Sequence, residues 1–241
     1  MPRSRDAQRA QTRQRVYAAA VAEFRQVGMA AADVGAIAKA AGVARGTFYF
    51  HFPTKEHVLA ELERHEEARL VGQLARYLAA PHDLQGALGE VVRLMAVMER
   101  RVGKTLFREM LGLHFSPRRP DVLPGADKWA DYPVMTTVVE AVELARARGE
   151  VYEGADALRT AQFFLLGLYA VLITSHEHSR AVRAEILDNF VATVLRSVEA
   201  RLSCRRRRPR KGACTDGADG RAAAGLGMVH PEDGLDRGAQ R

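Results

Sequence analysis

The sequence predicts an all-α protein with a three-helix N-terminal head and a larger C-terminal helical domain. Apolar residues recur every three or four positions in nearly every apolar stretch, which is the spacing of one face of an α-helix. No segment stands out with the period of two that marks a half-buried strand. Hydrophobic residues make up 47% of the 241 residues, so the chain can bury a sizeable core.

The head is predicted from short periodic segments with stop and start signals between them. A first helix over about residues 11–26 carries an apolar stripe, and Gly28 supplies its C-terminal stop. A second helix begins near Asp33, whose carboxylate can accept hydrogen bonds from free backbone N–H groups. It turns Ile37, Ala38 and Ala41 inward. A third helix begins near Ala44 and ends before Pro53.

A fourth helix opens at Thr54 and runs at least to Leu62. Further helices are predicted at about residues 84–101, 103–115, 127–148, 156–176 and 181–202. The helix over 156–176 is apolar on all sides along residues 163–173, which predicts burial on all sides in a soluble protein. Residues 116–125 hold three prolines and form a predicted loop, and the aperiodic residues 203–241 form a predicted disordered tail.

The charge distribution divides the chain in the same way. Residues 1–60 hold nine basic against four acidic residues, residues 61–202 eighteen against twenty, and residues 203–241 nine against five. A basic head and a slightly acidic body suggest a polyanion-binding end on a soluble body. We therefore predict a DNA-binding domain at 1–62 with a basic arm at 1–10, a helical domain at 63–202, and a basic tail at 203–241.

Several functional classes find no support in the sequence. It contains no Gly-rich phosphate loop, no His-Glu-x-x-His and no nucleophile elbow, so no enzyme and no cofactor are predicted. His176 and His178 point to different sides of a helix, and Cys204 and Cys214 lack a zinc-ligand spacing, so no metal site is predicted. The longest apolar run is shorter than the ~20 residues of a membrane span, which favours a cytoplasmic protein without a membrane partner.

Residues 31–62 have the features of a helix-turn-helix. Ala38 is small enough for two helices to cross closely, Gly42 can take the positive φ of the turn, and Val43 can lock the turn. In the following helix Arg45 can contact guanine in a bidentate manner, and Thr47 can contact bases. Gly46 allows close approach to DNA, and phosphates lie within reach of Tyr49, His51 and Lys55.

The string GVARGTFYFHFPTKEHVL, with VYAAAVAEFRQVG upstream, resembles the signature of TetR-type (TetR/AcrR) regulators over about residues 11–62. The resemblance implies that Ala44, Arg45, Gly46, Thr47, Tyr49 and His51 face DNA and that Lys55 contacts a phosphate. Phe48 and Phe52 would anchor the head's core. One departure is that Ala32 and Asp33 stand where the family has Thr or Ser, and a carboxylate there would repel a phosphate. The arm's Arg3, Arg5, Arg9 and Arg13 either contact phosphates or form a solvated terminus.

The last two predicted helices form an antiparallel hairpin with more apolar surface than one small domain needs. Pairing with a second copy would give a twofold four-helix bundle, as the resemblance also implies, and a monomer that buries the hairpin is the alternative. The predicted interface comprises Phe164, Leu168, Leu172, Leu187, Phe190, Val191, Val194 and Val198.

Between the head and this hairpin lies a set of methionines, aromatics and a histidine that suits either an adaptable apolar pocket or an ordinary core. The predicted ligand-binding residues are Met95, Met98, Phe107, Met110, His114, Trp129 and Tyr132, with Phe115 and Met135 nearby. Arg108 and Glu109 either orient a ligand or form a solvated face.

The resulting hypothesis is a bacterial repressor that is a homodimer on double-stranded, palindromic operator DNA and is released by a small, largely apolar effector. The fourth helix would carry the signal, since it starts at the DNA and runs into the ligand domain. An activator with the same fold, a non-specific architectural protein and an enzyme remain as alternatives.

Overall fold

The computed structural model describes residues 5–116, 120 and 132–199, and these residues form nine α-helices. In chain order they are α1 (Arg5–Ala31), α2 (Val34–Ala40), α3 (Arg45–His51), α4 (Lys55–Leu78), α5 (Leu84–Val102), α6 (Lys104–His114), α7 (Pro133–Ala147), α8 (Ala157–Thr174) and α9 (Arg180–Val198). The predicted all-α class is confirmed. Among the described residues, β pairing is confined to one isolated bridge between Val151 and Glu199.

Most predicted helix boundaries fall within a few residues of those observed. α1 begins earlier than predicted, at Arg5, and continues to Ala31 across a kink at Gly28, which has φ 80°. Gly28 therefore interrupts the helix as predicted. The beginning of the helix predicted over 127–148, most of the predicted loop over 116–125, and the predicted tail over 203–241 lie outside the described residues.

The head is built by α1, α2 and α3 around a small core, with the first turns of α4 closing it. α1 packs against α2, α3 and α4, and α2 packs against α3. Ile37, Ala38 and Ala41 of the second helix and its turn are buried, as predicted. Phe24, Phe48 and Phe52 are fully buried, so aromatic rings supply most of the volume of this core.

The remaining helices form a second layer of packing around α4 and α5. α4 contacts α5, α6 and α7, α5 contacts α9, and α7 and α9 each pack against α8. α4 runs without a break across residue 62, and the described helices belong to one compact unit. The division into two domains at residue 62 therefore stays a prediction.

α8 differs from its prediction. Its apolar residues are not buried on all sides, because the side chain of Phe163 is 75% exposed and Leu166 is 39% exposed. The helix is long and apolar enough to cross a membrane by length and composition alone. In this fold one face of α8 packs on α7 and α9 and the opposite face is uncovered in the single chain.

Three carboxylates buried on α4 and α5 each bind an arginine from another helix, and none of these pairs was predicted. The pairs are Arg13–Glu61, Arg101–Glu66 and Arg183–Glu99. The glutamates are only 3–4% exposed, so each depends on its arginine to offset the loss of hydration. These pairs tie α1 and α5 to α4, and α9 to α5.

Candidate nucleic-acid interface and ligand pocket

The turn between α2 and α3 has the geometry of a helix-turn-helix. Gly42 adopts φ 65°, and the N–H of Val43 donates to the carbonyl of Ala38 at 3.0 Å. Positive φ at this position is strained for residues with a Cβ, which is why a glycine stands there. Asp33 caps α2 as predicted, since its carboxylate accepts from the N–H of Ala36 at 2.7 Å. Its carboxylate is thus held at the start of α2.

α3 presents a polar face to solvent and an aromatic face to the core. Ala44, Arg45, Gly46 and Tyr49 are exposed, while Thr47 and His51 are half-buried. The predicted anchors Phe48 and Phe52 are confirmed, with 0% and 1% exposure. The predicted DNA-facing residues are therefore available on one surface of a rigidly anchored helix. Their contact with DNA stays a prediction.

Phe50 is a surface residue that the sequence analysis missed. Its ring is 64% exposed, and the guanidinium of Arg9 lies over it at 4.9 Å from the ring centre. The sequence analysis assigned no role to this residue. The helical period could have indicated this exposure. Phe50 lies two positions from each of the buried residues Phe48 and Phe52, which places it on the other side of α3.

The N-terminal arginines differ in their environments. Arg13 is not available as a phosphate contact because its Nη1 donates to Glu61 Oε1 at 2.7 Å and its guanidinium stacks on Phe52 at 4.5 Å. Arg5 and Arg9 are exposed on the first turns of α1. Arg3 lies outside the described residues. The arm that leads to Arg13 is therefore helical from Arg5 onward.

The pKa of the His51 imidazole lies below its ordinary value. Burial is the main cause, and the positive charges of Arg9 and Arg13 lower this pKa further. The neutral form of His51 is therefore favoured before a phosphate binds. A bound phosphate would raise this pKa. At a pH between the pKa values of the free and the DNA-bound protein, His51 would therefore take up a proton when DNA binds.

Lys55 serves a structural role that differs from the predicted phosphate contact. Its ammonium donates to the carbonyl of Ala30 at 2.9 Å and to that of Ala32 at 3.1 Å. The carbonyl of Ala30 lies in the last turn of α1 and that of Ala32 in the connection to α2, so Lys55 fixes the start of α4 against the end of α1. Two of the three ammonium hydrogens are used in this way.

Replacing Lys55 with methionine is therefore expected to lower the free energy of unfolding by about 1 to 2 kcal/mol, since two charge-assisted hydrogen bonds are lost while the aliphatic stem is kept. The matched control is Lys39→Met, which removes an exposed ammonium elsewhere in the head. Urea denaturation of the purified variants measures both values. Equal stability of Lys55→Met and wild type would show that the hydrogen bonds contribute nothing.

A pocket between α4, α5, α6, α7 and α8 collects most of the predicted ligand-binding residues. We call it the central pocket, and its lining residues are Glu63, Glu67, Met95, Met98, Met110, Leu111, His114, Tyr132, Val134, Met135, Leu165 and Tyr169. Five of the seven predicted residues are among them. Phe107 is not, because its ring is buried in the hydrophobic core instead, and Trp129 lies outside the described residues.

The central pocket is narrow. Its empty space is about 540 Å³ counted to its mouth, yet only about 40 Å³ of it has room for the centre of a water molecule. The larger volume includes open solvent, so the enclosed cavity is the smaller one. A drug-sized ligand needs a pocket of roughly 300 Å³ or more. The lining helices must therefore move apart when such a ligand enters.

The charged and titratable groups of the central pocket include two glutamates of α4 and a histidine of α6, beside the hydroxyls of Tyr132 and Tyr169. His114 Nδ1 lies 2.7 Å from Glu63 Oε1, and Glu67 accepts from the backbone N–H of Val134 at 3.3 Å. The sequence analysis followed α4 only to Leu62 and so missed both glutamates. The spacing of four residues between Glu63 and Glu67 could have indicated that they act together, since it places both on one side of a helix that continues past Leu62.

Two helices that line the central pocket also contact the head. α4 does so through Lys55, and α6 does so through Glu109, whose carboxylate accepts from the backbone N–H groups of Met29 at 2.7 Å and Ala30 at 3.2 Å. Glu109 is thus neither a ligand-orienting group nor a solvated residue. It satisfies backbone donors that the kink at Gly28 frees from α1. Arg108 is exposed and points toward His176.

The predicted dimer interface needs a correction. Six of its eight residues are at most 7% exposed in the single chain, so they belong to its own core and are not open to a second copy. They are Phe164, Leu168, Leu172, Leu187, Val191 and Val198. The prediction chose the inward stripe of α8 and α9. The two others, Phe190 and Val194, are half-buried and remain at the surface edge.

The uncovered side of the hairpin is also apolar. We call it the α8–α9 face, and its residues are Phe163, Leu166, Ala170, Val182, Ile186, Phe190 and Val194. Phe163 is 75% exposed, Leu166 39% and Val182 43%. The ring of Phe190 covers Gly167, where an added Cβ would lie 2.6 Å from the ring, so α8 and α9 approach closely here. An apolar face of this kind marks an interaction surface.

Comparisons with known proteins agree with this architecture. Residues 16–62 match the model of the family described as bacterial regulatory proteins, tetR family. The transcriptional regulator AcrR of Shigella flexneri is 33% identical over 106 residues, which is 44% of this chain and 48% of AcrR. The chain therefore spans about half the length of the curated relative that it matches.

Solved structures match over most of the chain. FadR of Thermus thermophilus, a TetR family transcriptional repressor solved with lauroyl-CoA, has a TM-score of 0.61 at 24% identity and covers 83% of this chain and 100% of its own. FadR of Bacillus halodurans, a fatty acid degradation regulator, has a TM-score of 0.55 at 19% identity, with 76% and 97% covered. At these identities the likeness shows the fold alone.

Proposed function

We propose that the chain is a member of the tetR family of bacterial regulatory proteins, and that it is a repressor that leaves a palindromic operator when a small molecule binds. The observation that carries this proposal is the exposed polar face of α3 on a helix anchored by Phe48 and Phe52. The contacts we propose are base contacts by Arg45 and Thr47, close approach at Ala44 and Gly46, and phosphate contacts by Tyr49 and His51. Lys55 has one hydrogen left for a phosphate.

The experiment measures binding of the purified protein to the DNA directly upstream of its own gene, with a scrambled duplex of equal length, at near-physiological salt. Arg45→Ala is expected to weaken operator binding about 10- to 100-fold, because a bidentate base contact contributes about 1–3 kcal/mol. Tyr49→Ala is expected to weaken it as well.

The matched control is Arg76→Ala. Arg76 is an exposed arginine in the last turn of α4, about 30 Å along the helix from Lys55. Equal affinity of the protein for both duplexes would contradict sequence-specific recognition and favour an architectural protein. Unchanged binding by Arg45→Ala would remove α3 from the interface.

A homodimer follows from the α8–α9 face. A twofold pairing through this face buries the apolar stripe of both copies in a four-helix bundle and presents two α3 helices for two operator half-sites. We thus propose that a second copy of the chain, rather than a lipid bilayer, covers the α8–α9 face. We also propose that the protein is cytoplasmic. The slightly acidic charge of residues 61–202 suits a body that does not bind DNA itself.

The effector site that we propose is the central pocket. Its methionines, Leu111, Val134 and Leu165 suit an apolar effector, and the Glu63–His114 pair suits one hydrogen-bonding group on it. The lauroyl-CoA of Thermus FadR combines an acyl chain with polar groups and supports an effector of mixed character. The pocket residues proposed here are those that line it, Trp129 remaining a sequence prediction.

Release follows from the two contacts between pocket helices and head. An effector that opens the narrow pocket moves α4 and α6, and Lys55 and Glu109 pass this movement to the α1–α2 connection. The two heads then no longer fit the operator spacing, so the effector weakens DNA binding by its preference for the open state. A panel of apolar small molecules that never changes operator affinity would contradict this step.

A further inference from the structure

A second concave surface lies away from the central pocket and has the opposite character. It is formed where the end of α5, the start of α6, the α8–α9 connection and the start of α9 meet. We call it the basic cleft, and its lining residues are Ala96, Glu99, Arg100, Gly103, Lys104, His176, His178, Arg180, Arg183, Ala184 and Leu187. About 730 Å³ of the space between them has room for the centre of a water molecule.

The charges of the basic cleft are predominantly positive. Four permanent cations line it, from Arg100, Lys104, Arg180 and Arg183, and Glu99 is the one carboxylate among its lining residues. The carboxylate of Glu177 lies 3.5 Å from Nε2 of the lining residue His176, so four cations stand against two carboxylates. Arg183 already neutralises Glu99, because its Nη1 donates to Glu99 Oε2 at 2.5 Å. The other cations therefore raise the positive potential of the cleft, and their mutual repulsion is relieved when an anion enters.

Arg183 itself has hydrogen-bonding capacity left. Its side chain is 14% exposed, and its Nε and Nη2 are buried without a hydrogen-bond partner among the described residues. Buried guanidinium donors in native proteins are normally satisfied. A small turn of this side chain toward an anion in the cleft would satisfy them with charge-assisted hydrogen bonds.

The cations of the basic cleft come from separate segments of the fold. Arg100 lies near the end of α5, Lys104 at the start of α6, and Arg180 and Arg183 in the first turn of α9. A solvated basic stripe, by contrast, lies on one helix. From this side-chain cluster and the unsatisfied donors of Arg183, we infer that the basic cleft binds a phosphate-bearing small molecule.

This site is separate from the DNA interface and from the central pocket, so it adds a second ligand to the regulator proposed above. The binding itself does not depend on operator recognition. It is therefore measured on the DNA-free, full-length protein, and its failure would leave the proposed repressor function untouched.

The probe is inorganic pyrophosphate, titrated into the protein by calorimetry at low ionic strength. Saturable binding with one site per chain is expected. Arg100 and Arg180 are both exposed, and their joint replacement by Arg100→Gln and Arg180→Gln is expected to weaken binding at least tenfold with an unchanged helical circular dichroism spectrum. Arg76→Gln, which removes an exposed arginine outside the cleft, is expected to bind like the wild type.

Three results would overturn the inference. The first is the absence of saturable pyrophosphate binding by the wild type. The second is an equal loss of affinity in Arg76→Gln, which would indicate general attraction by a basic protein. The third is displacement of pyrophosphate by a scrambled DNA duplex, which would make the cleft part of a nucleic-acid surface.

Discussion

Replacing Phe163 with glutamate is expected to give a monomer that has lost most of its operator affinity. In the single chain Phe163 is 75% exposed on the apolar α8–α9 face, so the substitution is expected to leave the fold of the protomer intact. In the proposed dimer the ring is buried, and the twofold axis places the change in the interface twice. Loss of an aromatic contact costs about 2–4 kcal/mol per copy, or about 4–8 kcal/mol for the dimer.

Sedimentation velocity over a range of protein concentrations measures the mass, and operator titration measures the affinity. The control is Val27→Glu, which places the same charge on an apolar residue of the head that is 49% exposed, and it is expected to remain a dimer. A Phe163→Glu protein that stays dimeric at micromolar concentration would contradict an interface through this face. A wild-type protein that needs detergent to stay in solution would indicate a membrane partner instead.

Replacing Arg101 with methionine is expected to destabilise the fold by about 3–5 kcal/mol, the largest stability effect predicted here. Arg101 donates to Glu66 through Nε at 2.8 Å and also through Nη2, and the Glu66 carboxylate is 3% exposed. Without the guanidinium, the cation left beside this buried carboxylate among the described residues is Arg69, at 3.6 Å on the same helix. Methionine keeps an extended aliphatic side chain, so the loss in the free energy of unfolding reports on the missing guanidinium charge.

The neighbouring Arg100→Met variant is the matched control, because Arg100 is exposed. It is expected to change the free energy of unfolding, measured in urea, by less than about 0.5 kcal/mol. Equal stability of the two variants would contradict the argument.

The parts of this molecule that were predicted well depend on local rules. Gly42 takes the positive φ that a tight turn demands, Asp33 caps α2 with its own side chain, and Phe48 and Phe52 face inward at a helical spacing of four. Each of these features is decided within a few residues of the chain. Short-range geometry and amphipathic period are therefore sufficient to derive them.

The parts that were missed depend on contacts between distant residues. Arg13 and Lys55 look like phosphate ligands in a basic head, but their partners are Glu61, 48 residues away, and the carbonyls of Ala30 and Ala32. The inward and outward stripes of α8 are both apolar, so hydrophobicity alone cannot say which one Phe164 and Phe163 occupy. Only the packing of α7 and α9 decides it.

The contact made by Glu109 has a consequence for engineering. Regulators of this architecture invite exchange of their DNA-reading halves, so that a known operator can be placed under a new sensor. Here the junction itself contributes hydrogen bonds. The carboxylate of Glu109, on α6, accepts from the backbone N–H groups of Met29 and Ala30 in the head. A grafted head that lacks a glycine kink at this point would leave Glu109 without donors. Chimeras should therefore take residues 28–30 and Glu109 from the same parent protein.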